Sequence, residues 1–350
     1  MDRIFIFIHE YYLLEKVGVM KKYFILLISV LLLTGCGKVD KEKVINNFVN
    51  KVEKSDSYKL SGSLEIYNDE DIYNYDISVF YKKDNLFNVD MVNTSNDHRQ
   101  IILRDNEAVY VITPSLNKSY KFTSEWPYNS SQSYILNSIV KDIKEDDDVN
   151  FINIDDNYVL EVDVNYPNNS YLKYEKIVFD KNLNLKEIIV FDKEDIESIK
   201  VTFNDIDYNA DLDDDVFDIN KILESNCCNV VTEETSNISD VVYPLYVPDN
   251  TYLDSKEIVN TENGERVILT FSGEKNFVLI EESSNVYNEF ETIPVYGDLL
   301  MMSNTIGAIS NNSLSWSVNN MDYYLASNDL TSDEIKSIAE SLNTAVFYEK

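Results

Sequence analysis

Between Tyr58 and Tyr81, apolar side chains fall on every second residue, and no other feature restricts the fold of this chain as strongly. Tyr58, Leu60, Gly62, Leu64 and Ile66 alternate with polar residues, and after Asn68-Asp69-Glu70-Asp71 so do Tyr73, Tyr75, Ile77, Val79 and Tyr81. Successive side chains of a strand point to opposite faces, so this pattern describes a long antiparallel hairpin with one apolar and one wet face. Further strands are expected at 86–92, 99–103, 108–113, 119–123, 151–154, 158–166, 171–180, 185–192 and 196–204, with Asp105-Asn106-Glu107 as a tight turn. The period changes to helical in two places. One is 39–54, through Val44, Ile45, Phe48, Val49 and Val52; the other is 131–144, through Tyr134, Ile135, Leu136, Ile139, Val140 and Ile143. Many short strands with two helices make an α+β domain dominated by one antiparallel sheet.

The N-terminus constrains location. Met20-Lys21-Lys22 precedes an apolar run, Tyr23 to Leu33, and then Leu33-Thr34-Gly35-Cys36. A basic start, a short apolar core and small residues before the end describe a secretory signal. The run is well short of the ~20 residues that span hydrocarbon. Residues 1–19 are read as an upstream extension, with Met20 as the start of translation. Leu33, Thr34, Gly35 and Cys36 resemble the lipobox of bacterial lipoproteins. That resemblance implies cleavage between Gly35 and Cys36 and a diacylglycerol on the Cys36 sulfur. The protein is then expected on the extracytoplasmic face of the cell membrane, anchored by lipid. Gly37 to Asp40 leave a tether of about 13–14 Å at full extension.

Composition narrows the functions. The chain has 350 residues, 44% hydrophobic, and a net charge of −32. Residues 1–35 contribute four basic and three acidic side chains, so removing their +1 leaves a mature chain near −33. Nucleic-acid binding is excluded, because phosphate contacts need clustered Lys and Arg. A basic partner protein or an uncharged apolar ligand suits the charge better. The two histidines are His9 and His98. Only His98, in the polar stretch Ser95-Asn96-Asp97-His98-Arg99, survives the expected cleavage. Neither a His-pair metal site nor an HExxH helix is available. No cofactor is expected. Cys227 and Cys228 are read as two thiols in a linker, or as one thiol pairing between molecules.

The strand plan resembles a known family at several places. These are Tyr58-Lys59-Leu60-Ser61-Gly62-Ser63-Leu64, Phe80-Tyr81-Lys82-Lys83-Asp84, Gln100-Ile101-Ile102-Leu103, Val109-Tyr110-Val111-Ile112-Thr113-Pro114, and Tyr120-Lys121-Phe122 followed by Trp126-Pro127. With a signal, a first helix and a helix inserted mid-sheet, the chain resembles the LolA/RseB superfamily. Within it, it resembles the sporulation and germination lipoproteins of spore-forming, single-membrane bacteria. The resemblance covers roughly 39–219. It departs at Asp84, where family members often carry proline. It implies an antiparallel half-open β-barrel whose concave apolar face is covered by helices. It also implies binding of acyl chains or of protein partners, a cell-wall amidase among them. A chain held to the membrane by Cys36 is expected to bind and sense rather than to shuttle.

The domains read as 36–219 for the LolA/RseB-like part, 220–240 as a linker, and 241–350 as a smaller α+β domain. The run Asp211-Leu212-Asp213-Asp214-Asp215 precedes the linker. It has Val216 where a calcium loop needs glycine, so it is read as a solvated acidic turn. In the last part, Tyr243-Pro244-Leu245-Tyr246-Val247-Pro248 is expected to open the domain as a strand. Strands follow at 257–260, 265–271, 277–282, 293–303 and 305–310. Then comes a hairpin of 314–318 and 321–325 through Asn319-Asn320. Thr331-Ser332-Asp333-Glu334 is a capping box for a helix at 332–342. This pattern resembles DUF4367-type domains of extracytoplasmic proteins.

The sequence thus points to a non-catalytic binding module for an apolar ligand or an envelope protein partner, acting in sporulation or germination. The alternative is an envelope hydrolase using a carboxylate pair. With 62 Asp and Glu some pair must lie close, and the spacing singles out none. A third reading is a structural coat or envelope component.

Overall fold

The computed structural model describes residues 39–68, 71–227, 238, 241–261 and 264–348, the last six of these by backbone alone. The chain divides into a short unit ending at Val44 and a large one, Ile45–Lys350. The first helix, α1 (Lys41–Lys54), has Asp40 at its N-terminus, where the side chain accepts from Lys43 N at 2.9 Å. Such a cap satisfies a donor the helix leaves free. Lys51 and Lys54 sit in its last turn, where cations offset the dipole.

The expected hairpin forms as β1 (Ser57–Asn68) and β2 (Asp71–Lys82). Leu60 lies opposite Val79, Leu64 opposite Tyr75 and Ile66 opposite Tyr73, so the apolar set shares one face. The sheet then runs through β3 (Leu86–Asn93), β4 (Arg99–Arg104), β5 (Val109–Thr113) and β6 (Lys118–Phe122) on one side of β2. On the other side, β1 pairs with β11 (Glu197–Asp207), followed by β10 (Leu185–Asp192), β9 (Leu172–Phe179), β8 (Asn157–Asp163) and β7 (Asn150–Ile154). A bulge at Ser61/Gly62 bends β1 where it meets β11. A Cβ at Gly62 would lie 2.3 Å from the Thr202 carbonyl oxygen, so only glycine permits this approach.

One face of this sheet carries α1 and α2 (Leu136–Glu145). The Phe48 ring meets Phe179 at 5.4 Å, and the Tyr58 hydroxyl donates to Asn137 Oδ1 at 3.0 Å. Lys144 of α2 pairs with Glu53 of α1. The first and last strands of the sheet do not pair with each other. The fold is therefore the half-open antiparallel barrel with covering helices that the resemblance implied. The second helix is shorter than expected. Residues 131–135 are not helical, because Ser138 Oγ accepts from Gln132 N at 2.8 Å and Ser131 bonds to Asp142. Hydroxyls that bond nearby backbone and side chains compete with helix formation.

Residues 219–226 correct the linker reading. They form a helix, α3 (Ile219–Asn226), with Asp218 accepting from Asn220 N at 2.8 Å and Lys221 N at 3.3 Å. Ile219, Ile222 and Leu223 pack on Ile101, Leu103, Tyr110 and Ile112. This second cover explains why β4 and β5 are continuous apolar runs rather than alternating ones. The acidic run before it ends in a 3-10 turn, Asp214–Phe217, whose N-cap Asp213 accepts from Asp215 N. Cys227 is disulfide-bonded, which corrects the reading of two thiols. Cys36 and Cys228 lie outside the described residues.

The second sheet has seven strands, in the order β12 (Thr251–Thr261), β13 (Gly264–Gly273), β14 (Phe277–Ser283), β19 (Met321–Ala326), β18 (Ser313–Val318), β17 (Ile306–Ile309) and β16 (Asp298–Met301). Asn319 and Asn320, at φ 51° and 60°, make the left-handed turn between β18 and β19. The last helix, α4 (Ser332–Tyr348), starts at the expected capping box. Thr331 N donates to Glu334 Oε2 at 2.8 Å, and Glu334 N donates back to Thr331 Oγ1 at 3.3 Å. Leu269, Leu279, Leu314, Leu325, Ile335 and Ile338 form the core between this sheet and α4.

Two strand expectations fail here. Residues 243–248 form no strand; Pro244 and Pro248 lack donors, and Val242 N instead donates to the Glu281 carboxylate at 3.1 Å. The single strand expected over 293–303 is two strands in different sheets. β15 (Glu291–Val295) runs parallel to β6 and becomes the edge of the 12-stranded sheet, where Pro294 is tolerated. The chain then turns at Gly297, φ 123°, and enters β16. A Cβ there would lie 2.3 Å from the Ile309 carbonyl oxygen.

Candidate functional site

The described residues of the large unit line cavities of about 450 and 310 Å³. The larger, about 450 Å³, opens among β1, the segments 130–134 and 166–172, β16 and α4. Strand alternation and the two chain turns bring its apolar wall together: Leu64, Ile66, Tyr134, Leu172, Leu300 and Met302. Its polar rim is Gln132, Tyr166, Asp333, Lys336 and Glu340. Most of the rim is already held in place. The Tyr134 hydroxyl donates to Gln132 Oε1 at 2.8 Å, and Ser170 Oγ donates to Asp333 at 2.6 Å. Ser303 donates to the Glu340 carboxylate from N at 3.0 Å and from Oγ at 2.6 Å, and Lys336 approaches the same carboxylate at 3.7 Å.

Behind the 130–134 wall are two buried carboxyls. Asp142 accepts from Ser131 Oγ at 3.0 Å, and Ser131 Oγ in turn accepts from Asn165 N at 2.8 Å. Burial pushes the Asp142 carboxyl up to about 7, with the Ser131 bond opposing. Glu175 is fully buried, and neither carboxyl oxygen has a hydrogen-bond partner. Burial, and then the charge of Asp142, hold it protonated well above the usual carboxylate range. The Tyr166 phenol on the pocket rim is pushed up by burial and by both of these carboxyls.

The second cavity, about 310 Å³, lies between β4–β6 and the seven-stranded sheet. Its polar groups are largely satisfied by one another. The almost fully buried Lys118 pairs with Asp322 at 2.7 Å, and Asp322 also accepts from Ser317 Oγ at 2.6 Å and from Ser284 Oγ. Tyr120 and Ser317 share a hydrogen bond at 2.9 Å. Gln100 Oε1 accepts from Ile306 N at 3.1 Å. These bonds join the sheets, so this cavity reads as structural.

An apolar-walled pocket with a polar rim can hold an apolar tail and anchor a polar head. Among the described residues, no group of three or more His, Cys, Asp or Glu is placed to hold a metal ion. No described helix is long and apolar enough to cross a membrane. Leu33, Thr34, Gly35 and Cys36 lie outside the described residues. His98 is largely buried, which lowers its imidazole pKa. Sequence reasoning named no pocket residue. Tyr134, Leu64 and Ile66 were legible as inward-facing, but the contributions of β16 and α4 left no local signal.

Residues 19–217 match the family described as "Sporulation protein YdcC-like". The chain is 34% identical to sporulation protein YdcC of Bacillus subtilis (strain 168) over 328 residues, covering 92% of this chain and 97% of that one. Among solved structures it is similar to MucB in the Pseudomonas aeruginosa MucA/MucB complex. That match has 10% identity and a TM-score of 0.31, over 85% of this chain and 97% of that one. It is also similar to the GerS lipoprotein–CwlD amidase complex of Clostridioides difficile, at 16% identity and a TM-score of 0.30, over 50% and 99%. Both overlays are loose, and the assignment rests on the sequence match. This chain belongs to the sporulation protein YdcC-like family.

Proposed function

We propose that this protein is a non-catalytic, lipid-anchored envelope lipoprotein of sporulating cells that holds an apolar, acyl-type ligand in the 450 Å³ pocket. In this reading Cys36 carries the diacylglycerol, and the signal through Gly35 is removed. Residues 36–219 and 241–350 then act together on the extracytoplasmic face, since both contribute to the pocket wall. The observation that carries the reading is that wall: Leu64, Ile66, Leu172, Leu300 and Met302 converge beside hydroxyls and amides that can orient a head group. Burying an acyl chain against such a surface contributes about 0.8 kcal/mol per CH₂. The hydrolase alternative needs accessible carboxyls. The pocket's own carboxyls are engaged, Asp333 by Ser170, Glu340 by Ser303 and Lys336, and Asp192 by the Glu194 and Ile196 amides, while the buried Asp142 and Glu175 are off the pocket lining.

The test is lipid analysis of the full-length chain purified in detergent from its own membrane. Non-covalent lipid at near one copy per chain, lost in Leu64→Glu and Leu300→Glu variants that still fold, is expected. Equal lipid on wild type and variants refutes the pocket. Separately, Cys36→Ser is expected to move the protein from the membrane to the soluble extracytoplasmic fraction. Retention in the membrane refutes the anchor.

A further inference from the structure

We propose that β12, the outer edge of the seven-stranded sheet, is a docking site where an extended, basic segment of another envelope protein adds as a further strand. The inference is independent of the pocket and of its ligand. β12 pairs with β13 along Thr251 to Thr261, and no described strand lies on its other side. Its outer row of backbone donors and acceptors is thus a template for pairing. Proteins normally blunt such edges, and the other edge strands among the described residues are shorter. β16 has 4 residues, β7 has 5, and β15 has 5 with a proline inside it. β12 has 11 residues, no proline, and exposed positions along nearly its whole length; one bulge at Leu253/Ser255 interrupts it and leaves 255–261 as a regular stretch.

Four of its exposed side chains are apolar. Tyr252, Leu253, Ile258 and Val259 are 63%, 39%, 55% and 43% exposed. Tyr243, 42% exposed, adjoins it, with the Lys256 ammonium 5.8 Å from its ring. Added-strand complexes take affinity from main-chain bonds and specificity from alternate side chains. This surface offers both.

Charge selects the occupant. Asp249, Asp254, Glu257 and Glu265 surround the strand, against Lys256 on the strand itself. The nearby cations are engaged: Arg266 with Glu282 at 2.7 Å, and Lys275 with Glu334 at 3.1 Å. A strand with alternating basic and apolar residues complements this edge. A second copy does not, because each chain carries a net charge of −32 and presents the same carboxylates.

The experiment uses the full-length protein in a non-ionic detergent, with three decapeptide probes: alternating Lys-Val, alternating Glu-Val, and Lys-Val with two central prolines. Hydrogen exchange is followed by mass spectrometry. The Lys-Val peptide is expected to slow exchange in 251–261 by about tenfold, while the proline and Glu-Val peptides do not. The Asp254→Lys/Glu257→Lys variant is expected to lose that protection and gain it from Glu-Val. Exchange in β13 reports whether the variant remains folded. Four results overturn the proposal: equal protection by the proline peptide, protection only at β7, strong protection of β12 in the free monomer, or concentration-dependent dimers that protect β12.

Discussion

Asp142→Asn is expected to change how stability depends on pH rather than only its level. Asp142 is 4% exposed, and burial raises its carboxyl from its ordinary 3.8 to about 7. A raised acid pKa means that the folded state holds the proton over a range where the unfolded chain has released it. The stability this gives is fully present below about pH 4 and is lost as pH rises through about 7. Each pH unit is worth about 1.4 kcal/mol, so the shift corresponds to about 4 kcal/mol in all and about 3 kcal/mol between pH 4.5 and 7.5. Asparagine keeps the size and the acceptor for Ser131 but does not ionise. The assay is urea denaturation of wild type and variant at half-unit steps from pH 4.5 to 7.5. The other titrating groups are common to both proteins, and burial, the larger cause of the Glu175 shift, remains in the variant, so the difference chiefly reports this site. Near pH 4.5 the two are expected to differ little, and by pH 7.5 the variant is expected to gain about 3 kcal/mol relative to wild type. A difference that stays constant across the range refutes the assignment of a buried, protonated Asp142.

Three further outcomes are expected. Gln100→Leu removes the acceptor for the buried Ile306 N–H and is expected to cost about 1–3 kcal/mol in urea denaturation, with the m-value unchanged. Gly297→Ala places a Cβ 2.3 Å from the Ile309 oxygen at φ 123°, and is expected to cost at least about 2 kcal/mol and lower the melting temperature. Lys118→Met leaves Asp322 without its ion-pair partner, and is expected to cost about 3 kcal/mol, with Lys118→Met/Asp322→Leu recovering most of that loss in a double-mutant cycle.

The strands and caps were legible because their causes are local. Period two places Leu60, Leu64, Tyr75 and Val79 on one face whatever the rest of the chain does, and Thr331 and Glu334 satisfy each other across three residues. The α3 helix was missed for a related reason. Eight residues offer too few turns for a period to stand out, although Asp218 and the spacing of Ile219, Ile222 and Leu223 carried the signal. The division of 293–303 was missed because apolar alternation does not say which sheet a strand joins. Gly297 marked the break, but its meaning depends on the carbonyl of Ile309.

By itself, then, the sequence determined an α+β chain built on a long hairpin and a strongly acidic composition, and it offered a Leu33–Cys36 stretch that resembles a lipobox. Tertiary structure alone decided that β15 edges the first sheet and that β16 and α4 complete the pocket. It also decided that Asp142 and Glu175 are both buried and near enough to interact electrostatically, and that no described strand pairs with the outer side of β12. The reason is separation. Gln100 and the Ile306 amide it accepts from lie 206 positions apart, and no local pattern records a partner at that distance. Burial, which sets the carboxyl pKa values, appears only when the whole chain has closed around them.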